Sequence, residues 1–223
     1  MPGRRADGTE PTATDRGKAR AVLNRLKTRY PTIRTALDFE TPWQLLVTTV
    51  LSAQTTDENV NKVRRTLFEA YPEPTDLAGA DIEDVERIVY STGFYRQKSK
   101  SIVTLASDVV DKFGGEVPRN LEDLTTLRGV GRKTASVVLA EAWGDPAIAV
   151  DTHVRRVTNR LGLTTQADPV KIEADLKALY PTAEWSGVSM RFIQFGRDIC
   201  DARRPLCREC ELVTLCDWPH KRL

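Results

Sequence analysis

No apolar run in the chain approaches the ~20 residues that span a bilayer, and no charged-then-apolar leader opens it. A cytoplasmic protein is therefore expected. Cysteine is missing from the first 199 of the 223 residues, which excludes a disulfide framework spread along the chain. Alternating strand-like runs are nearly absent, and no segment recurs at a fixed period. Sheet folds and repeat arrays are thereby excluded. Nor is there a large excess of one charge, since the formal net charge is only +2.

Helix signals fill the space left. Asp15 is placed to cap a helix carrying Val22, Leu23, Leu26 and Tyr30, stopped by Pro31. Thr41-Pro42-Trp43-Gln44 reads as a capping box opening a helix through Ala53, and Asp57 begins another with Val60, Val63, Leu67 and Phe68 on one face. Further helices are expected over Asp81–Ser91, Tyr95–Phe113, a short stretch after Asn120, Asp151–Leu161, Pro169–Leu179 and Trp185 to about Ile199. Residues 1–15 are polar and aperiodic, and read as a disordered tail. The fold class is all-α, with about ten helices.

The small net charge conceals a pattern. Residues 1–34 hold nine Lys/Arg against three Asp/Glu, residues 35–147 twelve against eighteen, and residues 148–223 twelve against ten. Both ends are basic and the middle acidic. If the ends meet in space, they make a cationic face suited to phosphate; the alternative is that Arg4 and Arg5 sit on a solvated tail.

All four cysteines fall in the last 24 residues, as Cys200, Cys207, Cys210 and Cys216 with intervals of six, two and five. Soft thiolates at this density select an iron–sulfur cluster or zinc. Zinc ribbons usually present two separated Cys-x2-Cys knuckles, whereas here a single knuckle is flanked by lone cysteines. The spacing favours a [4Fe–4S] cluster, with zinc and unliganded cysteines as the alternatives.

The run Leu127-Arg128-Gly129-Val130-Gly131-Arg132-Lys133-Thr134-Ala135 places two glycines directly before a helix. Close backbone approach and first-turn amides make such a turn an anion site, although a structural turn has the same appearance. Lys133 stands in the first turn beside Arg132, where the helix dipole and a neighbouring cation both disfavour the ammonium form. A partly neutral amine is what Schiff-base chemistry requires; grip on a phosphate is the alternative role. Asp151, in Ala149-Val150-Asp151-Thr152-His153, supplies a carboxylate at another helix start and is also a natural N-cap.

Together the run from Leu127 to Asp151, the cysteine spacing and Leu51-Ser52-Ala53-Gln54-Thr55-Thr56-Asp57 resemble three signatures of the endonuclease III family of helix-hairpin-helix DNA glycosylases. The likeness runs from about Ala19 to Cys216. It implies a two-lobed α-helical fold: a six-helix barrel over residues 35–146, and a discontinuous cluster domain over 16–34 and 147–223. It implies a bifunctional glycosylase and abasic-site lyase, with Lys133 as nucleophile and Asp151 as catalytic aspartate. Implied DNA contacts are Gln54 as a wedge, Phe94, and the hairpin residues Arg128, Gly129, Gly131, Arg132 and Thr134; Ser52 and His153 would line the base pocket. The implied partner is double-stranded DNA holding damaged pyrimidines or abasic sites, bound by a monomer associated with the nucleoid, and the implied metal ligands are Cys200, Cys207, Cys210 and Cys216.

Three positions depart from the family's pattern. Arg128 stands where the hairpin usually has proline, and Thr92 and Phe94 replace aliphatic residues inserted opposite the lesion. The competing readings are a non-nicking mismatch glycosylase of the same fold, whose members generally lack a lysine at this position, and a non-catalytic DNA-binding module stapled by zinc.

Overall fold

The computed structural model describes residues 3–223 and contains eleven α-helices and no strand among them. None of these helices is long and apolar enough to cross a membrane. Two compact units form: one from Thr35–Asp145, the other from the segment ending at Arg34 together with Pro146–Leu223.

The Thr35–Asp145 unit contains α2 (Pro42–Leu51), α3 (Asp57–Ala70), α4 (Pro74–Ala78), α5 (Ile82–Val89), α6 (Tyr95–Phe113), α7 (Leu121–Thr125) and α8 (Arg132–Trp143). The six helices expected here from the sequence are present together with one more, α4, whose five residues are too few to show a period. Helix α2 is the axis of this core: apart from Pro42 and Gln44, every residue in it is buried. A helix apolar on all sides must be covered on all sides. Leu67 of α3, Ile102 and Leu105 of α6, and Val138 of α8 are fully buried on the helices packed against it, while Leu77 of α4 and Val85 of α5 are buried on helices that pack on α6.

Capping chemistry sets most of the helix starts. Thr41 Oγ1 accepts from the Gln44 N–H at 3.2 Å, but the Gln44 amide oxygen accepts from Glu40 N and Arg64 instead of closing a box. Helix α2 ends at Leu51, two residues before the expected Ala53. The Asp81 helix likewise stops at Val89, and Tyr90–Thr92 tightens into a 3₁₀ turn.

The second unit contains α1 (Ala13–Arg29), α9 (Thr152–Arg160), α10 (Pro169–Leu179) and α11 (Trp185–Asp198), followed by the cysteine loop. Its core gathers Leu26, Ile148, Val157, Leu176, Phe192 and Phe195. Buried Arg191 donates to the Tyr30 and Pro31 carbonyls, tying α11 to the end of α1.

Two expectations for the N-terminal residues need correction. Thr12, not Asp15, caps α1, and Asp15 closes the box from the third helical position. Both residue types cap well, and here the carboxylate satisfies the Thr12 N–H at 2.9 Å. Residues 3–15 are also not a free tail. Gly3 lies against Ala178, and the Ala6 N–H donates to buried Asp175 at 2.8 Å. The rest of the expected tail, Met1 and Pro2, falls outside the described residues.

Candidate functional site

In the Thr35–Asp145 unit the hairpin is anchored from below and open above. Leu127 and Val130 are buried, whereas Arg128, Gly129 and Gly131 are exposed. Gly129 adopts φ +78°, and a side chain there would also press toward Val50 at 3.5 Å. Gly131 is the N-cap of α8 and offers no side chain to its first turn, so that helix end stays open to an anion.

Arg128 carries information that a proline could not. Its backbone N–H donates to Asp108 Oδ2 of α6 at 3.0 Å, while Lys112 pairs with Asp108 Oδ1 at 2.7 Å. Partial burial pushes the Asp108 carboxyl up, but the hydrogen bonds from Lys112 and the Arg128 amide outweigh it and hold the group below its ordinary value. The hairpin is thus stapled by a charge-assisted bond at the position where the family has a ring.

Lys133 projects from the first turn of α8, is exposed, and has no hydrogen bond or ion pair among the described residues. Thr134 behind it is half-buried, and Arg132 beside it is exposed. An accessible amine without a partner is free to meet a ligand.

The other loops of this unit carry two strained residues. Among the described residues only Gln54 (φ 57°) and Phe94 (φ 48°) combine a side chain with positive φ. Both are exposed, Phe94 by 63%. Left-handed backbone at two non-glycine surface residues marks sites held for a purpose rather than for stability. Ser52 is half-buried, its hydroxyl donating to the Thr49 carbonyl at 2.8 Å. Thr92 is buried and bonds the Val89 carbonyl at 2.7 Å, so it inserts nowhere. Below it Lys98, only 6% exposed, donates to the Thr92 carbonyl at 2.7 Å, and burial pushes its pKa down. Beside Phe94, Tyr90 and Tyr95 pack their rings 4.8 Å apart.

In the second unit Asp151 caps α9. Its Oδ1 accepts from the His153 and Val154 amides at 2.8 and 2.9 Å, leaving Oδ2 at 3.3 Å from His153 Nδ1. The extended segment before it is pinned by Ser189, whose hydroxyl exchanges hydrogen bonds with both backbone groups of Ala149. His153 sits over Gly196 of α11, where a β-carbon would stand 2.8 Å from that of His153. Arg156 locks the same junction through the Gly196 and Cys200 carbonyls. Gly196 is itself the one local hint of this, since a glycine inside a helix costs about 1 kcal/mol and needs a packing reason. Arg156 and Ser189 left no local signal.

Cys200, Cys207, Cys210 and Cys216 line one small apolar cavity of about 20 Å³, walled by Leu161, Phe195, Ile199, Pro205, Val213 and Trp218. No group of three or more Cys, His, Asp or Glu among the described residues is gathered tightly enough to hold a single metal ion. Burial pushes the Cys210 thiol up to about 11 and raises Cys216 also. Arg160 donates to Cys200 Sγ at 3.3 Å and stacks on Trp218 with its guanidinium 3.9 Å from the ring centre. This cation, with Lys221 on the Cys216 carbonyl, would offset the negative charge of ligating thiolates.

With this geometry in hand, residues 47–182 match the HhH-GPD superfamily of base excision DNA repair proteins. The chain is 49% identical to an endonuclease III of Synechocystis sp. over 205 residues, covering 92% of this chain and 94% of that one. A solved endonuclease III–DNA covalent intermediate superposes with a TM-score of 0.86 at 43% identity, over 91% of this chain and 95% of that one. A thermostable thymine-DNA glycosylase superposes at 0.83 with 26% identity, over 93% and 98%.

Proposed function

The chain belongs to the HhH-GPD superfamily of base excision DNA repair proteins and, within it, to the endonuclease III family; on that premise we propose that it removes oxidised pyrimidines from duplex DNA and nicks the strand, with Lys133 as nucleophile. The observation carrying this reading is the exposed, unpartnered Lys133 amine in the first turn of α8, directly behind an open hairpin.

The steps follow from the residues. Backbone amides at Gly129–Gly131, with Arg128, Arg132 and Thr134, hold a DNA phosphate. Gln54 and Phe94 enter the stack as the damaged nucleotide turns out. The neutral Lys133 amine attacks C1′, and the glycosidic electron pair leaves with the base, which gains a proton. In the resulting N,O-acetal the C1′–O4′ bond breaks, O4′ takes a proton and a Schiff base forms; C2′ then loses a proton, and the C3′–O bond breaks with the phosphate as leaving group. Asp151 receives the proton that frees the amine and balances positive charge on the sugar; among the described residues its Oδ2 meets only His153, since Oδ1 is committed to the helix cap.

The cysteine loop fits a [4Fe–4S] cluster: four soft donors line one apolar cavity, with a guanidinium at hand, and their spacing has one Cys-x2-Cys knuckle where zinc ribbons usually have two. Bound there, the group would supply a structural cross-link or one-electron chemistry and takes no part in breaking the glycosidic bond. The enzyme works as a cytoplasmic monomer on the nucleoid.

The mismatch-glycosylase alternative predicts base loss without nicking. A duplex containing thymine glycol, analysed on a denaturing gel with no added base or heat, separates the two. Spontaneous nicking by the wild type, lost in Lys133→Ala, supports the bifunctional reading; intact strands that break only on alkali contradict it.

A further inference from the structure

Neither strained loop is close in sequence to the other, yet one side chain reaches both. Asn59 of α3 donates from Nδ2 to Thr55 Oγ1 at 3.2 Å, beside Gln54, and to the Ser91 carbonyl at 2.8 Å, three residues before Phe94. Its Oδ1 accepts from the Ser91 hydroxyl at 3.1 Å. Both amide hydrogens and the oxygen are therefore spent on loop residues, and none on α3 itself.

The Ser91 end is fixed again from beneath. Thr92 bonds the Val89 carbonyl, and buried Lys98 bonds the Thr92 carbonyl. With that side held, the Asn59 bridge sets where the Gln54 loop lies relative to it. Gln54 and Phe94 are held in the left-handed region without glycine's freedom, so the backbone around them must be restrained by something other than its own preference.

We propose that Asn59 is a positioning residue for strand opening, fixing the distance between the Gln54 and Phe94 side chains so that both enter the base stack together. The inference rests on the function proposed above. Two wedges open a duplex only if they are pre-set at the separation of the gap they fill; a free loop would lose that order each time it bound. Asn59 touches neither DNA nor the reacting sugar in this scheme. Its effect falls on base extrusion, not on the Schiff-base chemistry.

The test uses the full-length enzyme and a duplex with 2-aminopurine next to thymine glycol, since this fluorophore brightens when unstacked. Wild type, Asn59→Ala and Ser91→Ala are compared for binding by anisotropy, for fluorescence rise, and for excision. Expected for Asn59→Ala is binding within about twofold of wild type, most of the fluorescence rise lost, and excision slower by about tenfold, as for losing the net worth of one or two hydrogen bonds. Ser91→Ala keeps its backbone carbonyl as acceptor and loses less. Placing the lesion in an unpaired bubble, where no pair must be opened, restores Asn59→Ala to near wild type.

Wild-type fluorescence and excision in Asn59→Ala overturn the proposal. So does an equal loss on duplex and bubble, which would mean a general structural defect. If wild type itself fails to unstack or excise, the functional reading fails, and that outcome is distinct from either of these.

Discussion

Replacing Arg128 by proline, the residue that the family resemblance implies for this turn, is expected to destabilise the protein. The Arg128 N–H donates to Asp108 Oδ2 at 3.0 Å, and a proline has no hydrogen to give. A hydrogen bond to a charged group contributes about 1.5–3 kcal/mol. Stiffening the unfolded chain with proline returns only about 0.4–1 kcal/mol. The net loss is roughly 1–2 kcal/mol, or a fall in melting temperature of about 2–8 °C for a chain of this length. Arg128→Ala keeps the N–H and is the control; it should melt close to wild type. The effect also has a pH signature. Because the folded Asp108 carboxyl is held below its unfolded value, the contribution is complete well above pH ~4 and disappears as pH falls through the folded pKa. Wild type and Arg128→Pro should therefore differ most near neutrality and converge in acid, in calorimetric or urea melts. Arg128→Pro equal to or more stable than wild type at pH 7 would refute the staple.

Two further outcomes follow from the packing. Gly196→Ala puts a β-carbon 2.8 Å from that of His153 and 3.2 Å from Arg156, so it should cost about 1–3 kcal/mol by overpacking. It should also lower excision more than DNA affinity, because His153 lies against Asp151 and Arg156 holds the cysteine loop; unchanged melting and turnover would sink that reading. Purified protein should hold about four iron and four sulfide per chain, and Cys210→Ser should lose both, together with visible absorption. Stoichiometric zinc in place of iron would overturn the cluster assignment.

Much of the fold was legible because the signals were local. Thr41, Asn120, Asp151 and Asp168 all cap the helices they precede. Gly114 and Gly144 end α6 and α8 in left-handed conformation. The cysteine set could be read from spacing alone. What escaped depends on distant partners. The N-terminal residues are ordered by Asp175, 169 positions from Ala6, which no composition rule reveals. Lys98 belongs by type on the surface yet is buried under a carbonyl in the Phe94 loop. Helix α4 offers only Pro74 and Leu77 to the core, too little to make a period. Asn59, Ser189 and Arg156 act across the fold, and their neighbours in sequence do not betray them. Thr92 lies buried beneath the Phe94 loop, a placement that is purely tertiary.

The central claim is that Lys133 forms a covalent bond with the sugar, and borohydride trapping tests it most directly. The reductant converts a lysine–C1′ Schiff base to a stable secondary amine, and mass spectrometry of the digested adduct locates the modified residue. The account predicts a wild-type adduct on thymine-glycol duplex mapped to Lys133, and none with Lys133→Ala. An adduct at another residue, or tight DNA binding and base release with no adduct, would contradict it.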